Sequence, residues 1–287
     1  MIKTSLAGIP GQISFKVQEK ISHHFKLYLQ QESLTNLKIM FTRLLLIFIL
    51  GFSLHTSYSQ TEIYELRVYE LDFFKPAEVL HTYLEKALIP GLNRQGVQHV
   101  GVFEEAGEAL PKKIYLLIAY PGLQAHSEVT DALNADSQYL ADAEPYMKAP
   151  AAQIPYTRIK SSFIRSSSGS PNLVRPDNDS ELFELRIYES YNEDALRRKV
   201  KMFNDHEFAI FEDVGLPMVF FGENISGDQM PCLTYMLAFK DKDAHAQAWA
   251  RFGPHPEWQR ITKLEEYSNA MSDITRVFLR PLPYSQL

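Results

Sequence analysis

An acid, a guanidinium and a phenol stand at alternate positions in the segment Tyr64-Glu-Leu-Arg-Val-Tyr-Glu70, as Glu65, Arg67 and Tyr69. The set returns as Glu184, Arg186 and Tyr188 within Phe183-Glu-Leu-Arg-Ile-Tyr-Glu189. Strand side chains alternate between faces, so each trio shares one face, while Tyr64, Leu66, Val68 and Glu70 occupy the other. If Leu66 and Val68 feed a core beneath helices, the trios point to the face where two sheets meet. Partial burial there would tune them for proton transfer or for holding an anion. The same groups suit charge-assisted pairs that fix sheet register, and their spacing does not separate the two readings.

Histidines offer less. His126 and His245 occupy matching places near the start of a helix, where capping or packing explains them. His99 enters a short strand and, by alternation with Gly101 and Phe103, is expected to face the barrel interior and join the ligand-binding candidates. His206 belongs to a helix, and His81 reads as solvated. There is no His-Glu-x-x-His, no Cys-His cluster and no paired His/carboxylate helix motif, so no metal site is expected. No cofactor is indicated. Haem stays open, since its axial ligand would have to be a residue such as His99, His206 or Met218 and nothing in the spacing selects one. No Gly-x-Ser-x-Gly elbow, phosphate loop or dinucleotide fingerprint appears, and Gly101, Gly107 and Gly122 are isolated. Phe103, Tyr115, Phe220, Phe221 and Tyr235 lie on predicted strands, where they line a pocket or pack a core.

The elements that must position these residues form a repeat. An offset of 119 residues carries the first motif onto the second and continues without a gap, pairing Gly96 with Gly215, Val100 with Val219, Glu104 with Glu223, His126 with His245 and Tyr139 with Trp258. Each copy reads strand, helix, strand, strand, helix, strand. The first helix spans about Lys75 to Arg94, or Glu193 to Val214, and ends at a glycine cap; Pro90 predicts a kink or early end in the first copy alone. The second strand runs near His99–Glu104 and Met218–Glu223, the third over Ile114–Tyr120 and Leu233–Phe239. A second helix starts near Leu123 or Lys242, and the last strand covers about Thr157–Arg165 or Ile274–Arg280. This order defines an α+β fold of two ferredoxin-like βαββαβ units, residues 60–165 and 181–287, joined by a Ser/Gly/Asp-rich linker at 166–180. One bare sheet face per unit is best hidden by the other, which gives an intramolecular dimeric α/β barrel. Two separate beads, each pairing with another molecule, form the competing arrangement.

Together the repeated Glu-Leu-Arg-x-Tyr-Glu strands, the caps at Gly96 and Gly215, and the turns Asp136-Ser-Gln-Tyr139 and His255-Pro-Glu-Trp258 resemble the NIPSNAP family across essentially all of residues 61–287. The resemblance implies the dimeric α/β barrel fold, here as a tandem duplicated domain. It supplies no catalytic residues, and the mitochondrial and vesicle roles of eukaryotic relatives do not fit an exported chain.

Export is expected from the N-terminus. Leu44 to Leu54 is an eleven-residue apolar run after Arg43, too short to span a bilayer, and Ser57-Tyr58-Ser59 supplies small residues for cleavage after Ser59. Met40 would make a normal start for such a signal, leaving residues 1–39 as a dispensable extension. No cysteine follows the run, so no stable membrane anchor survives cleavage, and a periplasmic or secreted product is expected. The rest of the composition is ordinary: 287 residues, 45% apolar, 22% charged and a net charge of -6, without the basic footprint of a nucleic-acid binder. The single cysteine, Cys232, permits no internal disulfide. The functional expectation is a barrel that binds, and in one version transforms, a small and largely apolar molecule between its sheets. The alternative is a non-enzymatic interaction or scaffold protein with a fully packed interface; a homo-oligomer is compatible with either.

Overall fold

The computed structural model describes residues 61–287 and, ahead of them, Lys26 alone. The apolar run at 44–54 and the cleavage point after Ser59 lie outside the described residues. Strand β1 (Ile63–Leu71) leads into a helix in three parts: α1 (Glu78–Tyr83), a π-helical turn (Leu84–Leu88) and α2 (Ile89–Arg94). After β2 (Gly101–Glu105) and β3 (Lys113–Tyr120), helices α3 (Leu123–Ala135) and α4 (Ser137–Met147) bring the chain to β4 (Tyr156–Ser166). The second unit repeats this with β5 (Leu182–Glu189), α5 (Glu193–Met202), a π-helical turn (Phe203–Glu207), α6 (Phe208–Val214), β6 (Met218–Ser226), β7 (Cys232–Phe239), α7 (Lys242–Phe252), α8 (Pro256–Ile261) and β8 (Asp273–Pro281). Among the described residues no helix is long and apolar enough to cross a membrane.

Local chemistry explains most boundaries. Gly215 closes α6 with φ of 70°, and Leu216 N–H returns to the Phe211 carbonyl at 2.8 Å, a left-handed cap that a side chain would strain. The expected single second helix of the first unit is two helices, because the Asp136 carboxylate accepts the backbone N–H groups of Gln138 and Tyr139 and starts α4 afresh. Pro90 neither ends nor starts a break of its own. It sits at the second position of α2, directly after a π turn that the second unit also has, 119 residues on, where Ala209 replaces the proline. Repetition stops at the last strands. Phe163 faces Glu65 and Phe278 faces Glu184, positions only 115 apart, so the second unit is four residues shorter between the start of its last helix and the matching point of its last strand.

All strands join one closed antiparallel barrel in the order β1-β3-β2-β8-β5-β7-β6-β4. Each unit contributes a four-stranded sheet, and the seams are β2 with β8 (Glu104 opposite Arg280) and β4 with β6 (Ile164 opposite Asn224). The two sheets therefore complete each other within one chain, and the separate-bead arrangement does not hold. The 166–180 segment is tied down as well: Leu173 N–H donates to Glu62 Oε2 at 2.6 Å and its side chain packs on the barrel interior.

Apolar packing falls into three regions. One core lies under the helices of each unit, and a third, built on Tyr64, Leu66, Phe103, Phe183, Leu185, Phe220 and Leu279, fills the barrel. The expected facing of the first strands is thereby reversed. Tyr64, Leu66 and Val68 point into the barrel, while Tyr69 and Tyr188 belong to the cores under the helices, and Glu65, Arg67, Glu184 and Arg186 share their side. An eight-stranded interior is only wide enough for tightly packed side chains, so it takes the apolar set. The helix layers leave the outer faces of β4 and β8 partly open, with Ile159 43% and Phe278 39% exposed, and this margin suits charged groups.

Barrel closure can be tested at a seam. A Cβ on Gly222 would press on the Arg165 carbonyl oxygen and lie 2.6 Å from Ile164 Cγ2, so Gly222→Ala should lower the urea-unfolding free energy by about 1–3 kcal/mol. Gly253→Ala, with nothing within 4 Å of its new methyl, should leave it unchanged.

Candidate functional site

Closure leaves one part of the barrel unfilled. At the end marked by Val68 and Glu70 there is a cavity of about 210 Å³, walled by Leu66, Val68, Leu185, Ile187 and Val277, with Tyr115, Ser162, Asn224, Cys232 and Thr234 supplying polar atoms. Every strand except β2 sends an inward side chain to it. Its polar lining is partly committed. Thr234 Oγ1 donates to Asn224 Oδ1 at 2.7 Å, Tyr115 donates to Glu105 at 3.0 Å, and Gln229 donates to Glu189 and Thr275. A charged rim closes over it: Lys160 bridges Asp228 at 2.9 Å and Glu70 at 3.3 Å, and these hydrogen bonds hold its ammonium above the usual lysine range. Burial, followed by the Glu189 charge, pushes the Cys232 thiol up to about 12, so it is not a thiolate nucleophile at neutral pH.

The trios occupy the opposite side of the sheets. In the first unit Arg67 Nε and Nη2 donate to the two oxygens of Glu65 at 2.9 and 3.0 Å, Ser161 donates at 2.9 Å, and His126 Nε2 lies 3.7 Å away. Burial works to raise the Glu65 carboxyl, but the Arg67 charge and the Arg67 and Ser161 hydrogen bonds outweigh it and hold the carboxyl below the usual carboxylate range. In the second unit Glu184 Oε2 instead accepts from Trp249 Nε1 at 2.8 Å and sits 3.0 Å from His245 Nε2. Arg186 Nε stays 3.6 Å from Glu184, and its guanidinium lies 4.3 Å from the Trp249 ring centroid. Burial pushes the Tyr188 phenol up to about 12 and Tyr235 well up, so both are neutral donors at pH 7.

Of the expected site residues, the structure brings each trio together but places none of the six in the inter-sheet cavity. His99 is a correction too. It precedes β2 in a left-handed conformation, φ of 58°, and its side chain is exposed rather than aimed into the barrel. As for the axial candidates, His206 pairs with Glu257 at 3.0 Å on the helical layer and Met218 packs in the second core, so neither they nor His99 line the cavity. Among the described residues no three His, Cys, Asp or Glu side chains are grouped to hold a metal ion. Trp249, Lys199 and Glu207 were not singled out by sequence. The signal was present in the repeat, where Lys199 and Glu207 stand at the positions of Leu80 and Leu88 on an apolar helix face.

Fold and site together define an α+β barrel of two fused ferredoxin-like units. The family model for NIPSNAP matches residues 183–286, within the second unit. A candidate monooxygenase from Fusobacterium nucleatum shares the fold with a TM-score of 0.52 at 14% identity, over 77% of this chain and 93% of its own. A second candidate monooxygenase, from Lactobacillus acidophilus, aligns with a TM-score of 0.52 at 13% identity, over 77% and 94%. No curated protein matches the sequence.

Glu65 gives the pH prediction. A depressed carboxyl contributes stability that is full above the ordinary carboxylate value, about 4.3, and is lost as pH falls through the folded value. Arg67→Met should cost about 3 kcal/mol at pH 7 and shrink or reverse the loss of stability between pH 7 and pH 3, read by urea unfolding at both. Equal pH dependence in the two proteins contradicts the assignment.

Proposed function

We propose that the barrel binds a fragment-sized molecule, apolar in its body and carrying one or two polar groups, in the cavity between its sheets. The observation that supports this is the unfilled space itself. Elsewhere the interior holds fully buried side chains such as Tyr64, Phe103, Phe220 and Leu279, yet about 210 Å³ stays open under a rim of charged side chains. A cavity of about 150 Å³ suffices for benzene, while drug-sized ligands take about 300 Å³ or more, so the ligand is of the order of one ring. Leucine, valine and isoleucine walls favour its apolar part, and Ser162 and the Asn224–Thr234 pair offer hydrogen bonds to its polar group. The fused barrel of the monooxygenase candidates supports the same architecture without specifying a reaction. Export, resting on residues 44–59, completes the proposal, and it predicts a mature N-terminus at Gln60 in protein recovered from the native host.

Saturation-transfer NMR with phenol and benzyl alcohol tests the cavity. The wild-type protein should bind at least one with a dissociation constant of about 1 mM or tighter, and Val277→Phe, which fills the space, should abolish it at unchanged melting temperature. Binding that survives in Val277→Phe, or no binding of either compound, overturns the reading.

A further inference from the structure

The duplication provides an internal control. Where the first unit buries Leu80, Leu88 and Leu116, the second has Lys199, Glu207 and Tyr235, equally buried, and where the first exposes Thr130 the second has Trp249. All four changes fall in one layer, between β5, β7 and the helices above them. The backbone needs none of them, since the first unit forms the same elements, including the π turn, with leucines. Buried polar groups are costly unless paired, and a core acquires them only with compensation. Lys199 and Glu207 compensate each other through an ion pair in which both side chains are 3% exposed.

Arg186 is settled less completely, with its carboxylate contact, Glu184, 3.6 Å from Nε. Trp249 and His245 take the Glu184 oxygen that Arg67 would have bonded in the first unit, and this releases the second guanidinium. Its side chain is 9% exposed and Nε is buried without a hydrogen-bond partner. Besides Glu184 at 3.6 Å, aromatic faces hold it, Trp249 at 4.3 Å, Tyr188 at 5.4 Å and Tyr235 at 6.0 Å. A guanidinium so enclosed lacks the acceptor its planar fork is built to take.

We infer that Arg186 anchors a second ligand site, specific to the second unit, for a small organic carboxylate whose flat apolar body lies against Trp249. A monoanion is the fitting charge. Arg186 faces one carboxylate, Glu184, across 3.6 Å without a hydrogen bond to it, Lys199 is already neutralised, and that same carboxylate repels a dianion from the enclosure. The first unit has no equivalent, because Arg67 is saturated by Glu65.

The chain has two tryptophans, Trp249 and Trp258, so Trp258→Phe makes Trp249 the sole indole reporter. In that background benzoate should change the Trp249 emission saturably, while neutral benzyl alcohol should not. Arg186→Lys, which keeps the charge but loses the fork, should weaken benzoate at least about tenfold. The same change in the first unit, Arg67→Lys, should not. A crystal structure with benzoate should place its carboxylate on Arg186, which keeps the test decisive should Arg186→Lys fold poorly. Equal responses to benzoate and benzyl alcohol, equal effects of the two lysine variants, no saturable response, or benzoate seated only between the sheets would each overturn the inference. Phenol binding in the cavity, read by NMR, should be indifferent to Arg186→Lys, so the two sites fail separately.

Discussion

Backbone pairing across the β2–β8 and β4–β6 seams is the constraint on which the rest depends. Without it each unit would expose two open strand edges and one bare sheet face, both liabilities in water. Closing the barrel removes the edges and the face together, and it fixes where side chains can go. The interior becomes a narrow space between eight strands, filled by Tyr64, Phe103, Phe183, Phe220 and their neighbours. It also explains why Gly222 must be small, since the backbone of β4 approaches it directly at a seam.

The repeat, the element order and the barrel were legible in sequence because all three rest on backbone preferences: β-branched alternation, glycine caps and turn-rich joints. The facing of the first strands was not. Alternation in Glu-Leu-Arg-x-Tyr-Glu separates two faces, but in this barrel both are buried, one by the opposite sheet and one by helices, so apolar character does not say which is which. Burial of Glu65 depends on donors that arrive from far along the chain, Ser161 in particular, and no local pattern announces them. His99 was misplaced for a simpler reason. Its left-handed backbone breaks the alternation that would have aimed it inward.

The paired π turns connect fold to chemistry. Each adds a residue to a helical turn over the sheet and so shifts the side chains that follow it, a device frequent at functional sites. Leu84–Leu88 and Phe203–Glu207 hold the same place in the two units, yet what they present differs. The first places Leu88 over an apolar core, whereas the second places Glu207 against Lys199, and burial pushes the Glu207 carboxyl above the usual range even with Lys199 opposing it. The geometry is therefore inherited by both units, and the chemistry by one.

That asymmetry is something a symmetric dimer could not have. In a twofold homodimer every substitution appears in both subunits, so a costly buried polar group is incurred twice and a stabilising leucine cannot be kept on one side alone. Fusing the two units into one chain breaks that coupling. The first unit can keep Leu80, Leu88 and a saturated Glu65–Arg67 pair, and its stability supports the shared barrel through the seams. The second can then carry Lys199, Glu207 and an unsatisfied Arg186 without unfolding the whole, because both sheets share one interior and one set of strand edges. On this view duplication matters less for closing the barrel, which two separate chains could do, than for letting its two helix-covered layers differ.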